Sequence, residues 1–199
     1  MKNSIKVVIT TIITFMIPAL SLEAQNIKAA SGIYLTEQDY KANKLSYALT
    51  GNDKMRLNEF LNGKNVTLIY QGKKVVLPKS ATYGFRLDNQ DFRFFNNTSY
   101  KVLDTAGFVL YSYPRLTQQG KGYRPVEQYA YSTNTSAAVL ELTIENLWKS
   151  YPAQEGFCFA LKNYFSDGAD LAEYDAFSHR YKIKHVYFQQ TQHLTAQAK

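Results

Sequence analysis

The sequence predicts an α+β protein: a curved antiparallel β-meander or partial barrel, followed by a C-terminal helical segment. In residues 83–113, apolar and aromatic residues alternate with a period of two, which is typical of antiparallel strands. From residue 143 onward, apolar residues recur every three or four positions, which is typical of amphipathic helices. We therefore predict a signal peptide (1–24), an antiparallel β domain (25–142) and a helical segment packed on the sheet (143–199).

The first 24 residues have the order of a secretory signal peptide. Lys2 and Lys6 precede an apolar run over residues 7–22, and Ala24 places a small residue before an expected cut at Gln25. The apolar run is shorter than the roughly 20 residues that a membrane-spanning helix needs. We expect an exported protein, periplasmic or extracellular, with no transmembrane span after the signal is removed.

Composition excludes several classes of protein. The chain has 23 basic and 16 acidic residues, and its basic residues are scattered rather than clustered, so we expect no nucleic-acid partner. Its single cysteine, Cys158, excludes an internal disulfide and any zinc site built from several cysteines. No phosphate-binding glycine loop or other cofactor motif is present, and we expect no cofactor.

The segment before residue 80 reads as short strands and one helical turn. Residues 32–35 form a candidate strand, and Thr36 is a candidate helix N-cap with Asp39 in the capping-box position. Two β-branched runs, 66–70 and 74–77, flank a short turn that contains glycine. This arrangement predicts a hairpin.

The aromatic stretch divides into four strands. They cover residues 82–87, 91–95, 100–105 and 108–113, and nine of the 31 residues in 83–113 are Phe or Tyr. Apolar groups occur on both faces of several of these strands. A sheet with one face exposed to water would need apolar residues on its other face only. We therefore expect the sheet to be curled, sandwiched or covered on its second face by helices.

The remaining chain is predicted to contain a loop, a hairpin and three helices. Residues 114–125 are polar, with two prolines and two glycines, and predict a long loop. A last hairpin follows over residues 126–143. The helices are expected at 144–151, at 157–165 and, after a cap at Asp170, through residue 181; the run 183–188 fits either a strand or a helix.

One constellation indicates binding. Aromatic residues and arginines alternate at Tyr83, Arg86, Arg93, Tyr123 and Arg124. Aromatic faces and guanidinium groups bind sugars and anionic groups. These five residues predict a surface for a glycan-like ligand or an envelope partner; the alternative is cross-strand pairing, with arginine packed over rings.

No catalytic motif is recognisable. Cys158 lies in an apolar helical run, and a nucleophilic cysteine would need a base such as His179 or His185 nearby. The sequence leaves three hypotheses: a non-catalytic envelope protein that binds a ligand or partner, a structural envelope component without a small ligand, and a cysteine-dependent hydrolase. The first is favoured.

Four short motifs support a family resemblance. They are Leu-Glu-Ala-Gln at 22–25, Gly-Ile-Tyr-Leu-Thr at 32–36, Tyr-Gly-Phe-Arg at 83–86 and Asp-Phe-Arg-Phe at 91–94. With the helical C-terminus, they make the chain resemble a group of uncharacterised exported proteins of gut Bacteroidetes. The resemblance implies an exported location and implies no activity.

Overall fold

The computed structural model describes residues 30–59, 63–165, 168 and 170–197; the predicted signal peptide lies outside these residues. The helices are α1 (Glu37–Lys41), α2 (Ile144–Ser150), α3 (Glu155–Tyr164) and α4 (Lys182–Gln197). The strands are β1 (Gly32–Tyr34), β2 (Tyr47–Ala48), β3 (Lys54–Arg56), β4 (Asn65–Tyr70), β5 (Lys73–Pro78), β6 (Gly84–Leu87), β7 (Gln90–Phe95), β8 (Thr98–Asp104), β9 (Val109–Gln119), β10 (Gly122–Ser132), β11 (Leu140–Glu141), β12 (Tyr174–Asp175) and β13 (Arg180–Tyr181).

Eight strands form one antiparallel sheet in the order β11-β10-β9-β8-β7-β6-β1-β2. From β6 to β11 each strand pairs with the next one along the chain, so this part is a meander. Strand β1 inserts between β6 and β2. The predicted α+β class, the meander and the C-terminal helices are confirmed, and the sheet is not closed into a barrel.

Three two-residue turns set the register of the hairpins. They are Gln71-Gly72, Asp88-Asn89 and Asn96-Asn97, and both residues of each turn have positive φ. Tight hairpins need this left-handed backbone because its twist matches that of the strands. Glycine and asparagine adopt it at low cost. The predicted hairpin of β4 and β5 is confirmed.

One face of the large sheet packs against two other layers. At one end, Ile33, Phe85 and Phe94 form a core with Val66 and Leu68 of the three-stranded sheet β3-β4-β5. At the other end, Phe108, which precedes β9, and Tyr131 of β10 pack on the C-terminal helices. The buried residues of that core are Phe108, Tyr131, Leu147, Phe157, Ala160, Leu161, Phe165, Leu171, Ile183 and Val186.

The opposite face is covered by α1 and by the segment between β10 and β11. Val109, Tyr111 and Ala130 are buried there with Val139 of that segment. Helix α1 begins with the predicted capping box: Asp39 N donates to Thr36 Oγ1, and Thr36 N donates to Asp39 Oδ2, each over 3.1 Å. Outside the projecting ends of β9 and β10, both faces of the sheet therefore carry buried residues, as the apolar groups on both sides predicted.

Two predicted elements are wrong. Residues 114–125 are not a loop, because β9 and β10 continue through them as paired strands to a turn at Gly120. The predicted third helix is a turn followed by the β12-β13 hairpin. There the Asp175 carboxylate accepts backbone N–H groups of Phe177 and Ser178 over 2.9 and 3.2 Å, a local turn that competes with a helix.

The ambiguous run 183–188 is helical and belongs to α4. In the described chain, no helix combines the length and the apolar character that a membrane crossing requires.

Candidate ligand-binding site

The five predicted site residues fall into two groups. Tyr83, Arg86 and Arg93 lie at β6 and β7, where Gly84 pairs with Arg93 and Asp91 with Arg86. Arg86 and Arg93 are therefore diagonal neighbours on one face of the sheet. The structure brings these three residues together, whereas Tyr123 and Arg124 lie near the far end of the β9-β10 hairpin.

Arg86 is held by a carboxylate. Its Nε and Nη2 donate to the two oxygens of Asp91 over 2.7 and 2.8 Å. The hydroxyl of Tyr34 donates to Asp91 Oδ1 over 3.1 Å. Burial, with the neighbouring Asp91 carboxylate, raises the pKa of Tyr34 well above its usual range, which keeps the phenol protonated as a donor.

Arg93 is 6% exposed and donates to three acceptors. Its Nη1 lies 3.2 Å from Tyr111 Oη and 3.3 Å from Ser132 Oγ, and its Nη2 lies 2.8 Å from the carbonyl oxygen of Ala137. Its guanidinium carbon is 5.5 Å from the centroid of the Tyr83 ring. The charge is thus compensated by neutral oxygens and ring faces inside the protein.

Tyr83 is also engaged within the protein. Its hydroxyl donates to the carbonyl oxygen of Thr135 over 3.1 Å, and its ring stacks on Tyr40 at 5.0 Å. The hydrogen bonds of Tyr83, Arg86 and Arg93 therefore join β6 and β7 to β1 and to the segment between β10 and β11, and the ring of Tyr83 packs them against α1.

The second group lies on a projecting ribbon, residues 114–125, which we call the arm. Strands β8 and β11 pair with β9 and β10 only as far as Ser112 and Ala130. Beyond that point β9 and β10 pair with each other, and all the residues of the arm are exposed. Tyr123 and Arg124 are successive residues of a strand and point to opposite faces of the arm.

A cleft lies at the base of the arm, with a cavity volume of about 390 Å³. The register places Phe92, Lys101 and Ser112 side by side on adjacent strands, with Pro114 and Glu127 paired next to them. These residues and Ser99 line the cleft, and Glu59 lines it from beyond β3.

Ser99 is the unusual residue of this cleft. Its Oγ is buried and makes no hydrogen bond within the described structure. Buried hydroxyl groups nearly always have a partner, and one without a partner calls for an explanation. Sequence reasoning missed Ser99 because a lone serine carries no motif. In the sequence, Ser99 and Lys101 are polar residues two positions apart, and this pattern also fits a sheet face that is exposed to water.

Two other concave sites lack this feature. A cavity of about 340 Å³ is lined by Glu127, Tyr129 and Glu141, and a groove of about 470 Å³ lies beside Trp148 and Lys162. Within the described residues, neither contains a buried polar atom without a partner. In the groove, Lys162 Nζ lies 4.2 Å from the centroid of the Trp148 ring and covers that side of the indole.

Cys158 is buried in α3, and its Sγ donates to the carbonyl oxygen of Tyr151 over 3.3 Å. Burial raises the pKa of the thiol, whereas a nucleophilic cysteine needs a lowered pKa. His179 is exposed in the β12-β13 turn, and His185 Nε2 is hydrogen-bonded to Gln189 over 2.8 Å. Among the residues described, no group of three or more His, Cys, Asp or Glu side chains could hold a metal ion.

The chain matches no protein-family model, no curated protein and no solved structure.

Proposed function

We propose that the protein is an exported, non-catalytic binding protein of the cell envelope, and that the cleft at the base of the arm holds its ligand. One observation carries this proposal: Ser99 lines the cavity, and its buried Oγ has no hydrogen-bond partner among the described residues. A buried polar atom without a hydrogen bond costs about 1–3 kcal/mol, and a ligand that supplies the bond removes that cost on binding.

The lining favours a small hydroxylated ligand, such as a glycan unit. Phe92 offers an apolar ring, which is held in place by stacking on Phe85 at 4.6 Å. Lys101 donates hydrogen bonds, Glu127 accepts them, and Ser99 can do either. The cavity volume lies within the range of roughly 300–1,000 Å³ that is usual for small-molecule sites.

A non-catalytic role is supported by the setting of Cys158, which is hydrogen-bonded to a backbone carbonyl and has a raised thiol pKa. Export is supported by the predicted signal peptide at residues 1–24. The predicted residues Tyr83, Arg86 and Arg93 serve this proposal indirectly, because they join β7, which carries Phe92, to the covering segments.

The test is a glycan array with the exported protein, followed by calorimetric titration of any hit. Ser99→Leu fills the cleft and is expected to abolish binding. Ser99→Ala removes one hydrogen bond and is expected to weaken binding by about 2- to 10-fold. Because the hydroxyl of Ser99 has no partner to lose, Ser99→Ala should not lower the free energy of unfolding.

Ser80→Ala, at an exposed position beside β5, is the matched control and should change neither quantity. If the Ser99→Leu variant binds a hit as tightly as the parent protein does, the ligand binds outside the cleft. The absence of any hit would favour the alternative of a structural envelope component.

A further inference from the structure

The arm carries an exposed apolar face. Leu116 and Tyr123 are 69% and 70% exposed. Leu116 pairs with Pro125 and Tyr123 with Gln118, so Leu116 and Tyr123 are diagonal neighbours on the same face of the ribbon. Pro114 lies on this face too, two residues before Leu116. In the described structure no other element packs on this face beyond the cleft.

The arm is also basic. Residues 114–125 contain Arg115, Lys121 and Arg124 and no acidic residue. Arg115 and Arg124 lie on the face opposite Leu116, and Lys121 lies at the turn. Arg115 contacts Glu141 over 3.1 Å, but both side chains are about 60% exposed, so this pair holds the arginine only weakly.

Each edge of the arm carries a proline that disfavours the addition of a further strand. Pro114 pairs with Glu127 and Pro125 with Leu116, so one proline lies on each edge. A proline has no backbone N–H, and each of these two removes the outward donor that an added strand would need. Proline on an exposed edge is a known protection against edge-to-edge pairing. Strand addition along either edge is therefore disfavoured, and a face of the arm is the better contact surface.

The face is small for a protein partner. Its paired part is about six residues long, or about 20 Å, and two strands wide, about 10 Å. That gives an area on the order of 200 Å², whereas a stable protein interface buries about 800 Å² on each partner. A lipid surface has no such requirement, because apolar side chains enter it one at a time.

We propose that the arm docks on an anionic lipid bilayer by its apolar face: Leu116 and Tyr123 enter the interfacial region, Lys121 at the turn contacts the headgroup phosphates, and Arg124 on the opposite face is attracted to the anionic surface from within about a Debye length. Tyrosine is enriched at membrane interfaces, and basic side chains on an amphipathic element are attracted to anionic lipids. This proposal does not depend on a ligand in the cleft, so either can fail alone.

The test is co-sedimentation of the exported protein with vesicles. Vesicles of equal phosphatidylglycerol and phosphatidylcholine should bind it, binding should fall with added salt, and pure phosphatidylcholine should bind it less. The double variant Leu116→Ser/Tyr123→Ser should reduce partitioning by about tenfold or more, because two apolar insertions are lost. Lys121→Gln/Arg124→Gln should reduce binding to the anionic vesicles and flatten its salt dependence.

Phe177→Ser is the matched control, because Phe177 is 96% exposed but lies between β12 and β13. It should bind like the parent protein. A direct readout uses Tyr123→Trp in a Trp148→Phe background, which leaves one tryptophan at the arm; its emission should shift to shorter wavelength with anionic vesicles. No shift, binding equal in the parent and the double variant, or binding only to a soluble acidic polysaccharide would overturn the proposal.

Discussion

Arg86 and Asp91 face each other across β6 and β7 and are joined by two parallel hydrogen bonds of 2.7 and 2.8 Å. The hydroxyl of Tyr34 on β1 donates to the same carboxylate. The pair therefore links three adjacent strands. A hairpin whose sequence indicates ligand recognition is here an internal connection, with its strongest donors and acceptors already matched.

Arg93→Met should destabilise the protein. The change removes three hydrogen bonds and leaves the buried acceptors around Tyr111 and Ser132 short of a donor, so we expect a loss of about 2–4 kcal/mol. Urea unfolding followed by circular dichroism measures it. Arg124→Met, on the exposed arm, is the control and should stay within about 0.5 kcal/mol of the parent protein. Equal effects for the two variants would contradict the burial of Arg93.

Phe94→Ala should also destabilise the protein, by about 3–5 kcal/mol, because it leaves a cavity in the core between the two sheets. Phe94 is 6% exposed and packs against Phe85 with ring centroids 5.2 Å apart. The melting temperature should fall by many degrees. The control Phe177→Ala, at an exposed site, should leave the melting temperature unchanged. An unchanged melting temperature for Phe94→Ala would mean that the Phe94 side chain is exposed.

Lys184 should make the stability of the protein depend on pH. It is fully buried on α4, where Nζ donates to the carbonyl oxygens of Ala106 and Phe108 and lies 3.7 Å from Asp104 Oδ1. Burial lowers the pKa of Lys184 to about 8 from 10.5. Between pH 8 and pH 10.5 the unfolded chain keeps a proton that the folded protein has released, so the free energy of unfolding rises with pH.

The full difference between the two pKa values of Lys184 corresponds to about 3 kcal/mol in the free energy of unfolding, gained between pH 8 and 10.5. The unfolding free energy is measured at pH 7.5, 8.0, 8.5 and 9.0, because the tyrosines of the unfolded chain, with a pKa of about 10, stay roughly 90% or more protonated up to pH 9. Lys184→Met should remove this rise, whereas Lys182→Met, which breaks only the exposed contact of Lys182 with Glu173, should retain it. A parent protein with the same pH profile as Lys184→Met would contradict the lowered pKa.

Cys158 should react slowly with a thiol reagent. Its side chain is buried, and burial raises the pKa of the thiol, so both access and the thiolate fraction are reduced. Colour development with Ellman's reagent should be slow in buffer and rapid in urea. Fast reaction of the folded protein would revive the hypothesis of a cysteine-dependent hydrolase.

Most of the local structure could be read from the sequence. The turn residues at 71–72 and 88–89, the capping residues Thr36 and Asp39, and the period-two alternation of the aromatic strands each act over a few residues, and each is confirmed. The buried state of Phe94 follows from the same alternation.

The arm and the cleft could not be predicted. The prolines of residues 114–125 predicted a loop. The sequence does not show that the backbone nitrogen of each proline points outward from the β9-β10 ladder, where no ladder hydrogen bond is lost. The cleft is made by side chains from β7, β8, β9 and β10 together with Glu59, and only the strand register aligns them. Ser99 Oγ is a buried atom without a partner only because the neighbouring strands remove it from water.

The sequence by itself determined the class of the fold, the meander and the covering of both faces, because periodicity and turn chemistry are properties of short segments. Only the tertiary structure decided which polar groups are free. Arg93 is engaged because segments distant in sequence supply Tyr111, Ser132 and the carbonyl of Ala137, whereas Arg86 is engaged because the register of the β6-β7 hairpin places Asp91 opposite it. Tyr123 and Leu116 stay exposed because the described chain folds no other element over the arm. Hydrogen-bond satisfaction depends on those long-range contacts, and no short segment encodes it.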